Sequence, residues 1–292
     1  MSIKNWLAKN TQSLCGKTVA ITGSTGGLGK EICVILASLG ASLVLVDRNY
    51  TRSSARRAEI LSLYPQADIS LVTADLEDMA SVKRACEQLI KLPLDVVILN
   101  AGAYSIPRKK CDTGFDNVFQ INFVSQYYIA RYLAPLLKKR GGRVVAVGSI
   151  AHNYSKTDIN DVDFSTRNKS SLVYGNAKRY LMYSLYRFSA DSGVPVSVVH
   201  PGITFTNITA HYPPLIFAVI KHPMKVIFMR PRKASLSVIK GIFEPCGDRE
   251  WVGPRLFDIW GYPKKRRLKN CSEDEYSFII STADGIFNKI SH

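Results

Sequence analysis

Of all its stretches, Thr22-Gly23-Ser24-Thr25-Gly26-Gly27-Leu28-Gly29-Lys30 most constrains what this chain can fold into. Val19-Ala20-Ile21 before it is a short apolar run of the kind that makes a buried parallel strand. Ile32, Ile35, Leu36 and Leu39 after it recur at helical spacing. Strand, glycine-rich turn and helix therefore follow one another. Gly23 allows the tight turn, Gly27 lets backbone approach a pyrophosphate, and Gly29 lets the helix pack closely on the strand. Ser24, Thr25 and Leu28 share that turn, and the amides opening the helix face any phosphate. Glycines also punctuate ordinary strand-to-helix loops, so the rest of the chain has to decide.

The same alternation continues. A second strand over 41–46 ends at Asp47-Arg48, with Asp47 24 residues past Gly23. A carboxylate there accepts hydrogen bonds from adenosine ribose hydroxyls and repels a 2′-phosphate, whereas the Arg48 guanidinium attracts one. The pair favours NAD and leaves NADP open. A third strand over 69–73 is closed by Ala74-Asp75-Leu76, where Asp75 either meets the adenine amino group or caps the next helix. The fourth, 94–99, runs into Asn100-Ala101-Gly102, small residues that let the chain lie against a cofactor.

The spacing then predicts a long helix over 112–140, whose apolar stripe contains the polar Asn122, either a satisfied structural amide or part of a site. A fifth strand, 143–147, ends at Gly148-Ser149, and a sixth, 194–199, ends near Pro201-Gly202. Thr204 and Thr206 beyond it can hydrogen-bond a nicotinamide amide or phosphates, or cap a helix. Residues 203–231 are dense in large apolar side chains and read as a lid over an apolar substrate, or else as a dimer or membrane contact. A core helix over 234–243 and a seventh strand ending at Trp251-Val252-Gly253-Pro254 complete the pattern. Strands alternating with helices predict an α/β fold, a doubly wound parallel sheet in one domain across residues 1–292, with 1–15 as an N-terminal appendage and 262–292 as a C-terminal extension.

Six scattered cysteines without a CxxC pair suggest reduced thiols and no metal site. The start lacks the apolar core of a secretory signal, and no uninterrupted apolar run reaches membrane-spanning length, so a cytoplasmic protein is expected. The net charge of +16 is spread over helix ends and loops without aromatic interleaving, which speaks against nucleic acid and leaves peripheral contact with anionic lipid as the alternative to solvated surface.

Tyr174-Gly175-Asn176-Ala177-Lys178 lies in a further helical stretch over 170–190. Four residues apart, Tyr174 and Lys178 share one helix face. A nearby ammonium lowers a phenol's pKa and equips it to exchange protons with an alcohol or ketone.

Taken in order, these motifs resemble the short-chain dehydrogenase/reductase family from about Gly16 to Gly202. Its glycine motif stands at 22–29, its NAG motif at 100–102, and its Pro-Gly at 201–202. The resemblance implies a Rossmann three-layer architecture and a catalytic tetrad of Asn122, Ser149, Tyr174 and Lys178. In it Tyr174 is the general acid/base, Ser149 holds the substrate oxygen, Lys178 holds the nicotinamide ribose and lowers the Tyr174 pKa, and Asn122 supports a relay water. It also implies homo-oligomers formed through the helices at 112–140 and 170–190. The 25-residue gap from Ser149 to Tyr174 is about twice the family's common one. With Asp161-Val162-Asp163-Phe164 it looks like the retinol-dehydrogenase and protochlorophyllide-reductase branch, whose members act on bulky apolar molecules and often use NADP. By that resemblance His152 is a loop residue near the site. The expected reaction is hydride transfer between NAD(P) and a secondary alcohol or ketone of a steroid- or retinoid-like molecule. The alternatives are a membrane-surface NADPH reductase and a non-catalytic dinucleotide-binding scaffold.

Overall fold

The computed structural model describes residues 1–203, 229–268 and 271–291. Eight strands form one sheet: β1 (Thr18–Thr22), β2 (Ser42–Asp47), β3 (Ile69–Thr73), β4 (Leu94–Leu99), β5 (Arg143–Val147), β6 (Val196–Val199), β7 (Glu250–Leu256) and β8 (Trp260–Arg267). Their order is β3-β2-β1-β4-β5-β6-β7-β8, parallel except for the antiparallel pair β7–β8. The described helices are α1 (Ile3–Asn10), α2 (Gly27–Ser38), α3 (Tyr50–Leu63), α4 (Met79–Leu89), α5 (Ser125–Arg140), α6 (Ser170–Ser192), α7 (Pro231–Phe243) and α8 (Glu273–Ser291).

Alternation along the strands divides the interior into two cores. Ala20, Val44, Val97, Leu99, Val144 and Ala146 pack with α4, α5, α6 and α8 on one face. Val19, Ile21, Leu43, Val96, Ile98 and Val145 pack with α1, α2 and α7 on the other. Strands buried on both faces read as continuous apolar runs, which is why β1, β2, β4 and β5 were legible from the sequence. The strand order reverses between β1 and β4, so the ends of these two strands open a crevice at the carboxyl edge of the sheet.

Two expectations need correction. Residues 112–116 are not helical. The helix starts as a short turn at Asn117–Phe119 capped by Asp116, passes through a π turn at Gln120–Val124 and continues as α5. The C-terminal extension does not start at 262, because Tyr262 lies inside β8. That edge strand escaped notice because its Trp-Gly-Tyr-Pro-Lys-Lys-Arg-Arg sequence is polar and contains a proline, both tolerated at a sheet edge. The N-terminal appendage is a helix docked on the body, with Trp6 buried and stacked on Tyr262 at 6.3 Å. The helix α8 packs on α6 and the π turn, burying Ile279, Ala283 and Ile286.

Most of the apolar segment at 203–231, including Thr204 and Thr206, lies outside the described residues. Its ends do not: the Met229 amide donates to the Ile203 carbonyl at 2.9 Å.

Candidate active site

The glycine turn is built as its residues require. Gly23 has φ +73°, and a Cβ there would lie 2.9 Å from Ala101 Cα. A Cβ on Gly29 would meet the Gly23 carbonyl oxygen and come within 2.9 Å of Ser24 Cα. Gly27 and Leu28 open α2, and no side chain caps that end, so its first amides are left for an anion. Asn100 donates through Nδ2 to the carbonyls of Thr22 (2.9 Å) and Gly23 (3.0 Å). Its Oδ1 is buried and has no hydrogen-bond partner. That orphaned acceptor, the close approach of Gly23 to Ala101 and the uncapped helix fit a dinucleotide lying across the β1/β4 crevice.

Asp47 stands at the end of β2, where its carboxylate is already engaged by the turn. Buried there, its Oδ2 accepts from Ser24 Oγ (2.5 Å) and Ser53 Oγ (3.0 Å), and its Oδ1 from the Thr25 amide and hydroxyl (both 3.2 Å). Two acceptances per oxygen leave it fastening the glycine turn to the sheet. The adjacent Arg48 is exposed and makes no hydrogen bond or ion pair to the described residues. Asp75 Oδ1 accepts from the Glu77 amide at 3.0 Å beside the buried Leu76. The cap of α4 is instead Asp78. Pro201 and Gly202 follow β6; Gly202 has φ +83°, and a Cβ there would also press on Met229 and the Ile259 carbonyl.

The four tetrad positions converge at the same edge. Ser149 follows β5, while Tyr174 and Lys178 project from α6 one turn apart. The Tyr174 side chain lies near enough to Ser149 for that serine to lower its pKa, and the Tyr104 ring stands edge-on to the Tyr174 ring at 5.4 Å. Lys178 is 1% exposed; its Nζ donates to the Val147 carbonyl at 2.8 Å and sits 5.7 Å from the Tyr174 ring centre. Asn122 sits within the π turn and donates through Nδ2 to the carbonyls of Ala103 and Val118, both at 2.8 Å. Its Oδ1 would touch a Cβ on Gly102, as would Lys178 Nζ less closely. The π turn is the local device that aims this side chain at the site.

The electrostatics depart from the expectation for a lysine-activated phenol. Burial pushes Tyr174 up to about 12, against the lowering effect of its Ser149 hydrogen bond, and burial alone pushes Lys178 down to about 7. Tyr174 is therefore neutral at pH 7 and carries a proton to give.

His152 is a core residue and holds Ser149. Its Nδ1 lies 2.7 Å from the Ser149 carbonyl, and because a carbonyl only accepts, Nδ1 bears the proton. Its ring is edge-on to Trp251 at 5.5 Å, and His200 stacks on the same indole at 5.1 Å. Burial pushes His152 down to about 4 and His200 down to about 3, the latter helped by His152. Both rings fold neutral, so below pH 6.5 the unfolded chain binds more protons than the folded one. Stability is then full above pH 6.5 and falls as pH drops. Between pH 7 and 5 the expected loss is about 2 kcal/mol per histidine. Urea melts at the two pH values check it: no loss, or recovery of the loss in neither His152→Gln nor His200→Gln, would show that these rings do not set it.

Tyr104 and Arg179 are contributors that the motifs did not flag. The only sequence signal for Arg179 is a second cation beside Lys178 in a mostly apolar helix.

A doubly wound sheet with a phosphate-accepting turn at its switch point and a serine, tyrosine and lysine at the same edge defines a nucleotide-dependent oxidoreductase scaffold. The short chain dehydrogenase family model matches residues 17–214, and the chain belongs to that family. It is 32% identical to short-chain dehydrogenase TIC 32 A, chloroplastic, of Brassica napus over 213 residues, 66% of each chain. It is 31% identical to retinol dehydrogenase 14 of Mus musculus over 67% of this chain and 64% of that one, so the matches span two thirds or less of these relatives. Among solved structures, an uncharacterized protein from Mycobacterium paratuberculosis superposes with TM-score 0.71 at 22% identity, covering 97% of this chain and 96% of that one. A short-chain dehydrogenase from Sphingobium yanoikuyae in complex with NADPH gives 0.60 at 23% identity, covering 77% and 83%. Among the described residues no group of three or more His, Cys, Asp or Glu is placed to hold a metal, and no helix is long and apolar enough to cross a membrane.

Proposed function

We propose that this protein is an NADPH-dependent reductase of carbonyl groups on bulky apolar molecules, working reversibly as an alcohol dehydrogenase. The observation that carries the reading is the convergence of Ser149 at the end of β5 with Tyr174 and a buried Lys178 one turn apart on α6, beside the crevice that fits a dinucleotide. When bound, the nicotinamide supplies the hydride. Ser149 and Tyr174 hold the substrate oxygen, and Tyr174 Oη gives that oxygen its proton. Lys178, near its midpoint at neutral pH, stabilises the phenolate left behind and is placed to hold the ribose. Asn122 fixes the floor of the site and supports a water that returns a proton.

Two observations favour NADP over NAD. Asp47 spends its carboxylate on Ser24, Thr25 and Ser53, and Arg48 stands exposed beside it. Retinol dehydrogenase 14 and, at 27% identity, human polyprenol dehydrogenase are named for apolar isoprenoid alcohols, which supports a substrate of that kind. The charge of +16 supports work near anionic lipid, where such molecules partition.

The test is steady-state kinetics with NADPH and NADH against retinoid, steroid and polyprenyl carbonyls and alcohols. NADPH is expected to give the lower KM, and Arg48→Ala to raise that KM roughly tenfold while leaving NADH unaffected. Equal use of both nucleotides by both proteins would remove the 2′-phosphate assignment. Nucleotide binding without turnover across the panel would favour the scaffold reading.

A further inference from the structure

Ser149 begins a long connection between β5 and α6, and a connection of that length gives no reason for its first residue to stay in place. The structure supplies a reason from the far end of the chain. Arg179 is 1% exposed and follows Lys178 directly, so its side chain leaves α6 about 100° away from that of Lys178. It faces the serine connection and α8. Its Nε and Nη2 clasp the two carboxylate oxygens of Glu275 at 2.7 and 2.5 Å. Its Nη1 donates to the His152 carbonyl at 3.1 Å. Glu275 Oε1 also accepts from the amide and hydroxyl of Thr157, at 2.9 and 3.3 Å. A short 3₁₀ turn, Ile150–Tyr154, carries the first of these attachments, and Thr157 follows it. His152 in turn donates through its ring and its amide to the Ser149 carbonyl, at 2.7 and 3.2 Å.

We infer that the Arg179–Glu275 pair is a positioning latch, through which the first turn of α8 fixes the orientation of Ser149 toward Tyr174. The inference rests on the reading of Ser149 and Tyr174 proposed above. Arg179 and Glu275 are positioning residues, acting on the site through His152 and Thr157. A two-pronged guanidinium–carboxylate pair fixes direction as well as distance, and a buried pair adds little net stability compared with apolar side chains of similar size, so orientation is what this pair contributes. Burial opposes ionisation of Glu275, but its bonds from Arg179 and Thr157 outweigh that and hold the carboxyl below the usual range. Its place in the first turn of α8 favours the charge as well. The Tyr183 ring packs beside the pair, with Arg179 5.2 Å from its centre and Tyr276 edge-on at 6.1 Å.

Glu275→Gln in the full-length protein tests the latch, with Asp284→Asn as its control. Asp284 pairs with Arg131 at 2.6 Å and ties the same helix down further along. The first readout is hydrogen exchange at the Ala151 and His152 amides, which needs no turnover. Glu275→Gln is expected to speed it at least tenfold, and Asp284→Asn to leave it within twofold. The second is kinetic. Glu275→Gln is expected to lower kcat about tenfold with NADPH affinity within twofold. It also moves the rise of alcohol oxidation with pH to higher pH, because the Ser149 bond that favours the Tyr174 phenolate is loosened. Should Glu275→Gln not fold, Thr157→Val removes the hydroxyl bond and keeps the amide bond to Glu275, and a few-fold gain in exchange with a few-fold loss of kcat is expected. Unchanged exchange and an unchanged pH profile in whichever of these variants folds, or equal effects in Asp284→Asn, would overturn the latch. If the wild-type protein turns nothing over, the reductase reading fails while the exchange arm still decides whether Glu275 holds the serine connection.

Discussion

Tyr174→Phe lowers turnover by roughly 10²–10⁴-fold and leaves nucleotide affinity within about twofold. The substitution removes a single oxygen that faces Ser149, so the ring keeps its contact with Tyr104 and the helix keeps its packing. What disappears is the group that carries the transferable proton. Because burial holds Tyr174 neutral at pH 7, the loss is felt in full in the direction of carbonyl reduction. In the oxidation direction the wild-type rate rises with pH as the phenol is deprotonated, and the variant flattens that rise. Stopped-flow oxidation of NADPH, with fluorescence titration for binding, checks both. A variant with wild-type kcat would mean that another group protonates the substrate.

Gly29→Ala is the second large effect, and it acts on the nucleotide half. An added methyl would run into the Gly23 carbonyl oxygen and the Ser24 backbone, neither of which is the far end of a flexible side chain. Relief requires moving α2 away from β1 or opening the turn that Asp47 fastens. Either costs about 3 kcal/mol, at the upper end for overpacking, because backbone is displaced on both sides. Nucleotide affinity should fall more than tenfold. Urea melts and binding titrations measure the two separately. Gly26→Ala is the natural comparison, since a Cβ there meets the Gly23 carbonyl oxygen only at ordinary contact distance, 3.6 Å. Equal behaviour of the two variants would contradict the close packing of α2 on the turn.

Much of the fold was legible because its strands are buried on both faces and so stand out as runs such as Leu94 to Leu99. The glycine turn and the Tyr174/Lys178 pair were legible for a related reason: their chemistry depends on spacing along one element. What escaped reading depends on residues far apart in the chain. Asp47 looked like a ribose ligand because its separation from Gly23 is right, but only the folded chain shows Ser24, Thr25 and Ser53 around its carboxylate. The π turn at Asn122 leaves the apolar stripe intact and so gives no periodic signal. Lys178 could be placed beside Tyr174 by counting, whereas the burial that pushes both groups toward their neutral forms could not. Arg179 and Glu275 are 96 residues apart, and no local pattern pairs them.

The bond from the Met229 amide to the Ile203 carbonyl brings the two flanks of residues 204–228 together at one doorway in the described scaffold. Changing the length of chain between two points held that close carries little entropic expense, about 0.6 kcal/mol for each doubling. The apparatus that grips the nucleotide and moves the proton would be undisturbed.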